Sequence, residues 1–234
     1  PVHFFNYYDY YSGSYYPREE LNSGYLVVNQ VKHYDDPAKR MEIAREIVSA
    51  ASDNILRNLK YYKNRVEGLE PYIEKVEEEQ EKFPNTDNPF QLMGVEGRIR
   101  DIYYESFNKI LDLNEPFEKR VKQPPDNVIN TLISFGNSML YSTCLSEIYR
   151  TQLNPLISFL HEPGERRYSL SLDVSEIFKP IIVDRIIFKL LNSNMLQDGD
   201  FEKNLNYCYL KESGRKTFTK EYDNKLNQTI KHRS

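Results

Sequence analysis

The stretch DDPAKRMEIAREIVSAASDNILRNLKYY, residues 35–62, decides the class of fold. Asp36 carries the side chain of an N-cap, and Pro37 suits the first helical position, where its missing N–H is no loss. From there Met41, Ala44, Val48, Ala51, Ile55, Leu59 and Tyr62 follow one another by threes and fours. That period lines one stripe of an α-helix, and a stripe this apolar must be buried against other elements. The spacing predicts a long amphipathic helix from Pro37 to near Gly68, one wall of a helical core.

Upstream the pattern is different. HFFNYYDYYSGSYY is dense in aromatics, Gly13, Pro17 and Gly24 punctuate it, and GYLVVNQV follows as a Val-rich run of strand length. These residues read as two or three strands joined by tight turns. Thirty-five residues cannot make a sheet with its own core. The expectation is that residues 1–35 are the last part of a β domain whose earlier strands lie upstream.

Downstream the chain reads as mostly helical. An acidic helix opens at Pro71, a second starts at Asn88-Pro89 and runs to about Asp112, and a third covers Val128 to Arg150. A short helix is expected from Asn154-Pro155 to His161, then an extended segment where Tyr168, Leu170 and Leu172 alternate with polar residues. Ile177 to Leu191 is helical again, residues 206–210 (NYCYL) suggest a strand, and a basic amphipathic helix follows Gly214. The fold class is therefore α+β, with a partial N-terminal β domain (1–35) and a mainly α-helical domain (36–234).

Composition excludes several classes. Charged residues are 28% of the chain, and no apolar run approaches the roughly 20 residues of a membrane span. Cys144 and Cys208 stand far apart, which suggests free thiols in a reducing, cytoplasmic compartment. The net charge of −4 is unevenly spread, acidic over residues 67–81 and basic over residues 203–234, which allows a local phosphate-binding face. No G-x-x-x-x-G-K-[ST], G-x-G-x-x-G or G-x-S-x-G pattern occurs, and two cysteines cannot form a zinc finger.

Two segments carry candidate chemistry. In QLMGVEGRIRDIYYESF, Glu96 shares a helix face with Leu92, Ile99, Tyr103, Phe107 and Ile110. A carboxylate there needs a salt bridge, hydrogen bonds or a metal ion, and the flanking Gly94 and Gly97 suggest a close approach. In SFLHEPGERRYSLSLDVSE, residues 158–176, His161 ends an apolar run, and Asp173 and Glu176 stand three apart. Asp173 to Glu176 has capping-box spacing, and a lone histidine at a helix end has an ordinary structural reading. Together, Glu96, His161, Asp173 and Glu176 also form an oxygen-and-imidazole set that suits Mg²⁺ or Mn²⁺ better than zinc.

The blocks GVEGRIRDIYYESF, PPDNVINTLISFGNSMLYS, FLHEPG and LSLDVSEIFKPIIVDR, in this order, resemble the successive motifs of the CRISPR-associated spacer integrase family. PVHFFNYYDYYSGSYYPRE resembles the end of that family's β domain, and GRKTFTKEY fits its C-terminal part. The resemblance implies an Mg²⁺- or Mn²⁺-dependent DNA endonuclease and integrase that joins 3′-hydroxyl ends of spacer DNA into the repeat array by transesterification. It implies Glu96, His161 and Glu176 as metal ligands, Asp173 as an active-site acid and Tyr141 as an active-site tyrosine near the DNA junction. Arg166 and Arg167 are expected to clamp phosphates, and Arg215 and Lys216 to extend a basic track. Implied partners are double-stranded and branched DNA, a second copy in a homodimer, and a small ferredoxin-like adaptation subunit, with no membrane. Members usually begin with several more strands and continue past KHRS into further helices. Two other readings stay open: a metal-dependent nuclease on branched DNA that does not integrate, and a non-catalytic helical binding module in which Glu96 forms a salt bridge.

Overall fold

The Asp36 carboxylate accepts the N–H groups of Ala38 and Lys39 at 3.1 and 3.2 Å, which starts helix α2 (Pro37–Lys63) where the cap and proline predict. In the computed structural model, which describes residues 2–8, 11–15, 23–111, 113, 116–165, 168–204 and 207–228, this helix is the central support. Its stripe of Met41, Ala44, Val48, Ala51, Ile55 and Leu59 is buried. It ends at Lys63, short of Gly68, because the chain turns back through Arg65 and Val66 onto the Tyr62 carbonyl. Gly68 then takes a left-handed φ of 81°, which glycine adopts without a Cβ clash.

Helices α3 (Glu70–Gln80) and α4 (Pro89–Ile110) pack against α2, and Asn88 caps α4 through Gln91 N–H. Helix α5 (Val128–Tyr149) and helix α6 (Ser169–Phe178) follow, with α6 held against both α2 and α5. A π-helical turn (Pro180–Asp184) links α6 to α7 (Arg185–Asn192), and α8 (Glu212–Leu226) lies against α7. Tyr103, Phe107 and Phe188 form the aromatic centre of the core, with Phe107 and Phe188 edge to face at 4.8 Å. Gly136 lets α5 approach closely: a Cβ there would fall 2.5 Å from Val183 and 2.8 Å from Phe218.

Two antiparallel hairpins complete the structure. Strands β1 (Val2–Phe5) and β2 (Tyr11–Tyr15) pair with Val2 opposite Tyr15, and β3 (Phe201–Asn204) and β4 (Tyr207–Leu210) pair with Phe201 opposite Leu210. The first hairpin and β4 agree with the sequence reading. GYLVVNQV does not: it lies in helix α1 (Gly24–Asp35). Ser23 caps this helix, and the Gln30 amide makes two hydrogen bonds to the Asn154 backbone, accepting at 2.7 Å and donating at 3.3 Å. Apolar β-branched residues accept either state, so the long-range contact decides.

Two other expectations fail in the same region. Residues 155–161 form turns instead of a helix, and residues 169–172, read as extended, are the first turn of α6. Asp173 is therefore inside α6 and cannot cap its start. The sequence leaves Pro180 inside a helix, and the structure accommodates it with the π turn, closed by Asp184 N–H to the Lys179 carbonyl at 3.1 Å. Asn54 and Asn58 on α2 donate to the carbonyls of Ile177 and Pro180, so the widened turn is satisfied from outside.

Candidate active site

Helices α4 and α6 meet over α2 through one arginine. Arg100 lies one turn beyond Glu96, and its guanidinium donates to Glu96 Oε1 from Nε at 2.8 Å, with a terminal nitrogen in ion-pair contact 2.7 Å from the same oxygen. The same terminal nitrogen reaches Glu176 Oε2 at 2.6 Å, and Lys179 binds the other Glu176 oxygen. These side chains are largely enclosed, with 21% (Glu96), 15% (Arg100) and 11% (Glu176) of their surface exposed. Burial pushes the Glu176 carboxyl up, but the charges of Lys179 and Arg100 outweigh it and hold it at about 2. Glu96 thus has the buried ion pair that its position on the apolar face demands.

His161 is organised differently. The fully buried Asp173 carboxylate accepts the backbone N–H groups of Phe159, Leu160 and His161 at 2.7, 3.0 and 3.0 Å. It also accepts from His161 Nδ1 at 2.8 Å. A carboxylate only accepts, so Nδ1 carries the hydrogen and Nε2 is the nitrogen presented to a ligand. The loop is tied further by Ser158 Oγ to the His161 carbonyl at 2.6 Å and by Arg40 Nε to the Phe159 carbonyl at 2.9 Å. Arg40 and Tyr34 also hold the Glu162 carboxylate, at 2.7 and 2.9 Å. The three-residue spacing of Asp173 and Glu176 places them on one face of α6, with Asp173 turned to the histidine loop and Glu176 to α4.

The remaining sequence candidates divide. The Tyr141 hydroxyl accepts Tyr168 N–H at 3.1 Å and its carbonyl accepts Ser171 Oγ at 2.7 Å, so Tyr141 fixes the start of α6. Its ring packs on Tyr11 of β2 at 5.6 Å, which brings the first hairpin to the site. Arg215 donates to the Leu210 carbonyl at 2.8 Å and the Tyr7 carbonyl at 3.2 Å, a role in joining β4, α8 and the hairpin. Lys216 pairs with Glu212 on the exposed side of α8. Arg166 and Arg167 lie outside the described residues. Cys144 and Cys208 are free and buried, and burial pushes the Cys144 thiol up to about 12.

Among the described residues, no three His, Cys, Asp or Glu side chains converge within reach of one ion. Arg100 and Lys179 instead provide the positive charge that Glu96 and Glu176 require. Neither is among the candidates the sequence singles out, although Arg100 stands four residues from Glu96 and Lys179 three from Glu176, the spacings at which helical side chains meet. Nor is Asp184, of the π turn, among them. That carboxyl is buried and hydrogen-bonds Tyr103, and its Oδ2 has no partner. Burial pushes it up to about 7, against the pull of Arg100.

The same fold, with a TM-score of 0.85 over 99% of this chain and 65% of the other, occurs in a casposase bound to integration product, at 24% identity. A Cas1 protein from Thermotoga maritima superposes with a TM-score of 0.85 at 44% identity, over 97% of this chain and 72% of that one. The sequence model of the CRISPR associated protein Cas1 family matches residues 1–224. The chain belongs to the Cas1 family. It is 55% identical over 232 residues to a CRISPR-associated endonuclease Cas1 of Thermodesulfovibrio yellowstonii, which spans 99% of this chain and 70% of that protein. It is 52% identical over 233 residues to a CRISPR-associated endonuclease Cas1 of Fusobacterium nucleatum, which spans 100% of this chain and 69% of that one.

Proposed function

We propose that this chain is the catalytic part of a divalent-metal-dependent DNA endonuclease and integrase of CRISPR adaptation. The observation that carries the reading is that two segments far apart in sequence deliver Glu96 and Glu176 to one guanidinium, and that the helix carrying Glu176 also carries the buried aspartate that orients His161. The donor set fits Mg²⁺ or Mn²⁺, because carboxylate oxygens and one imidazole nitrogen are the ligands and no thiolate takes part. Glu96, Glu176 and His161 Nε2 would hold the ion, and when bound it supplies charge to polarise a phosphodiester and stabilise the leaving 3′-oxygen. Asp173 keeps His161 in the tautomer that frees Nε2. Lys179, at the end of α6, offers positive charge to the phosphate that approaches Glu176, and Tyr141 holds the α6 start against the hairpin.

Substrates in this reading are the 3′-hydroxyl ends of spacer DNA and the phosphodiester of a repeat array, joined by transesterification, with double-stranded and branched DNA bound along the site. The relatives' names support the nuclease part. The likeness to a casposase bound to integration product, and to 26% of a chain of a Cas6-RT-Cas1–Cas2 complex (TM-score 0.85, 21% identity), supports the fold on which it rests. A homodimer, a small ferredoxin-like partner subunit and a cytoplasmic location belong to the same proposal, as does the assignment of the first hairpin to the end of a β domain. Among the described residues no helix is long and apolar enough to cross a membrane.

The test is strand transfer on branched DNA with Mn²⁺. Glu96→Gln, His161→Ala and Glu176→Gln are each expected to abolish joining, with circular dichroism unchanged. Joining at wild-type rate by all three variants rejects the reading. A donor lacking its 3′-hydroxyl separates integration from simple cleavage: cutting that is indifferent to this group leaves a nuclease only.

A further inference from the structure

Arg100 contacts the two carboxylates that the proposed function gives to the metal ion. Glu96, Glu176, Arg100 and Lys179 carry two negative and two positive charges, so this enclosed cluster is balanced with no ion present. A divalent ion added to it would leave two uncompensated positive charges out of water, which proteins avoid. One resident cation must therefore give way. Lys179 touches only Glu176, whereas Arg100 spans Glu96 and Glu176 and fills the position between them. Beside Arg100 a second acceptor is available. The Arg100 charge pulls the Asp184 carboxyl down against its burial, Arg100 stands three residues from Tyr103 on α4, and the buried Asp184 Oδ2 makes no hydrogen bond. A buried carboxylate oxygen without a partner is rare in a folded protein. Tyr103 holds the Asp184 side chain, and Asn58 in turn donates to the Tyr103 hydroxyl at 2.9 Å, so the acceptor is fixed in place.

We infer that Arg100 is a resident counter-ion in the metal position, which an entering divalent ion displaces from Glu96 and Glu176 onto the unpartnered Oδ2 of Asp184. The inference rests on the metal reading above and extends it to how the site is kept folded before the ion arrives. The arginine makes metal affinity a competition between two cations for the same carboxylates. It holds the empty site together, and it weakens binding of the ion.

Calorimetric titration of the full-length, DNA-free protein with Mn²⁺, alongside its melting temperature in chelator, tests this. Arg100→Gln is expected to bind Mn²⁺ at least about tenfold more tightly than wild type, with a lower metal-free melting temperature, because unpaired buried carboxylates are costly without a cation. Equal or weaker binding overturns the inference and leaves the metal reading intact. Asp184→Asn is expected to weaken binding several-fold in the wild-type background and to have no effect in Arg100→Gln. Equal weakening in both backgrounds means that Asp184 acts on the ion directly, and overturns its role as acceptor. If Arg100→Gln does not fold, the arginine Nε–H resonance of the wild-type protein decides: saturating Mg²⁺ must shift the Arg100 signal, and an unmoved signal overturns the inference. Failure of the metal reading has a separate signature, namely Mn²⁺ heats that are absent from wild type and Arg100→Gln alike.

Discussion

The two halves of the site solve the cost of burying charge in opposite ways. Around His161, one carboxylate with no exposure is satisfied by three backbone N–H groups and an imidazole. Around Glu96 and Glu176, two carboxylates are satisfied by two cations. The first half is fixed by the fold, because its donors belong to the main chain of a tied loop. The second is held by side chains alone, so its partners are set by which charges α4 and α6 bring together.

The largest expected effect falls on the rigid half. Asp173→Ala strands three buried N–H groups and frees the imidazole, and should cost ~3–5 kcal/mol in urea unfolding. A loss near that of an ordinary surface change would show that the loop is held by something other than Asp173. Next comes pH. The Asp184 carboxyl, ordinarily at 3.8, is raised to about 7 behind the charged half. The folded protein therefore keeps this proton where the unfolded chain loses it. Its contribution to stability is complete below 3.8 and is lost as the pH rises through about 7. Metal-free wild type should lose ~2–4 kcal/mol relative to Asp184→Asn between about pH 4 and about pH 8.5, measured by denaturant midpoints. A pH-independent difference between the two proteins would remove Asp184 from the account.

Smaller effects sharpen the contrast. In a double-mutant cycle of Glu96→Gln and Arg100→Gln, the pair should show a coupling of ~1–2 kcal/mol, since each single change strands the other group. Additive losses would mean that Arg100 is held by Glu176 alone. Arg40→Met removes the tie to the Phe159 carbonyl and the stacking on Tyr34, and should cost ~1 kcal/mol in thermal unfolding. A larger cost would make the outer tie as important to the loop as Asp173.

Much of this arrangement was legible locally. The α2 stripe and its Asp36 cap, the Asn88–Pro89 start of α4 and the face carrying Glu96 all follow from a 3.6-residue period and from caps made within a few residues. The Glu96–Arg100 pair was legible too, by its four-residue spacing. Residues 24–31 misled because β-branched apolar runs fit either state, and the deciding bond, Gln30 to Asn154, spans 124 residues. The alternation at residues 168–173 misled in the same way. Ser169, Ser171 and Asp173 are polar yet buried, because each finds a partner on another element: Leu156, Tyr141 and the histidine loop.

By itself the sequence determined the helical class, the motif order that marks the family, and four acid and histidine side chains as candidates, because periodicity, capping and residue chemistry are local properties. Only the tertiary structure decided what those side chains do to one another. It set Arg100 between Glu96 and Glu176, made Asp173 the anchor of a loop instead of a helix cap, and left Asp184 with an unpartnered oxygen. A buried charge is settled by whichever opposite charge or N–H group the fold brings within 3 Å or so, and for Arg100 and Glu176 that partner lies 76 residues away.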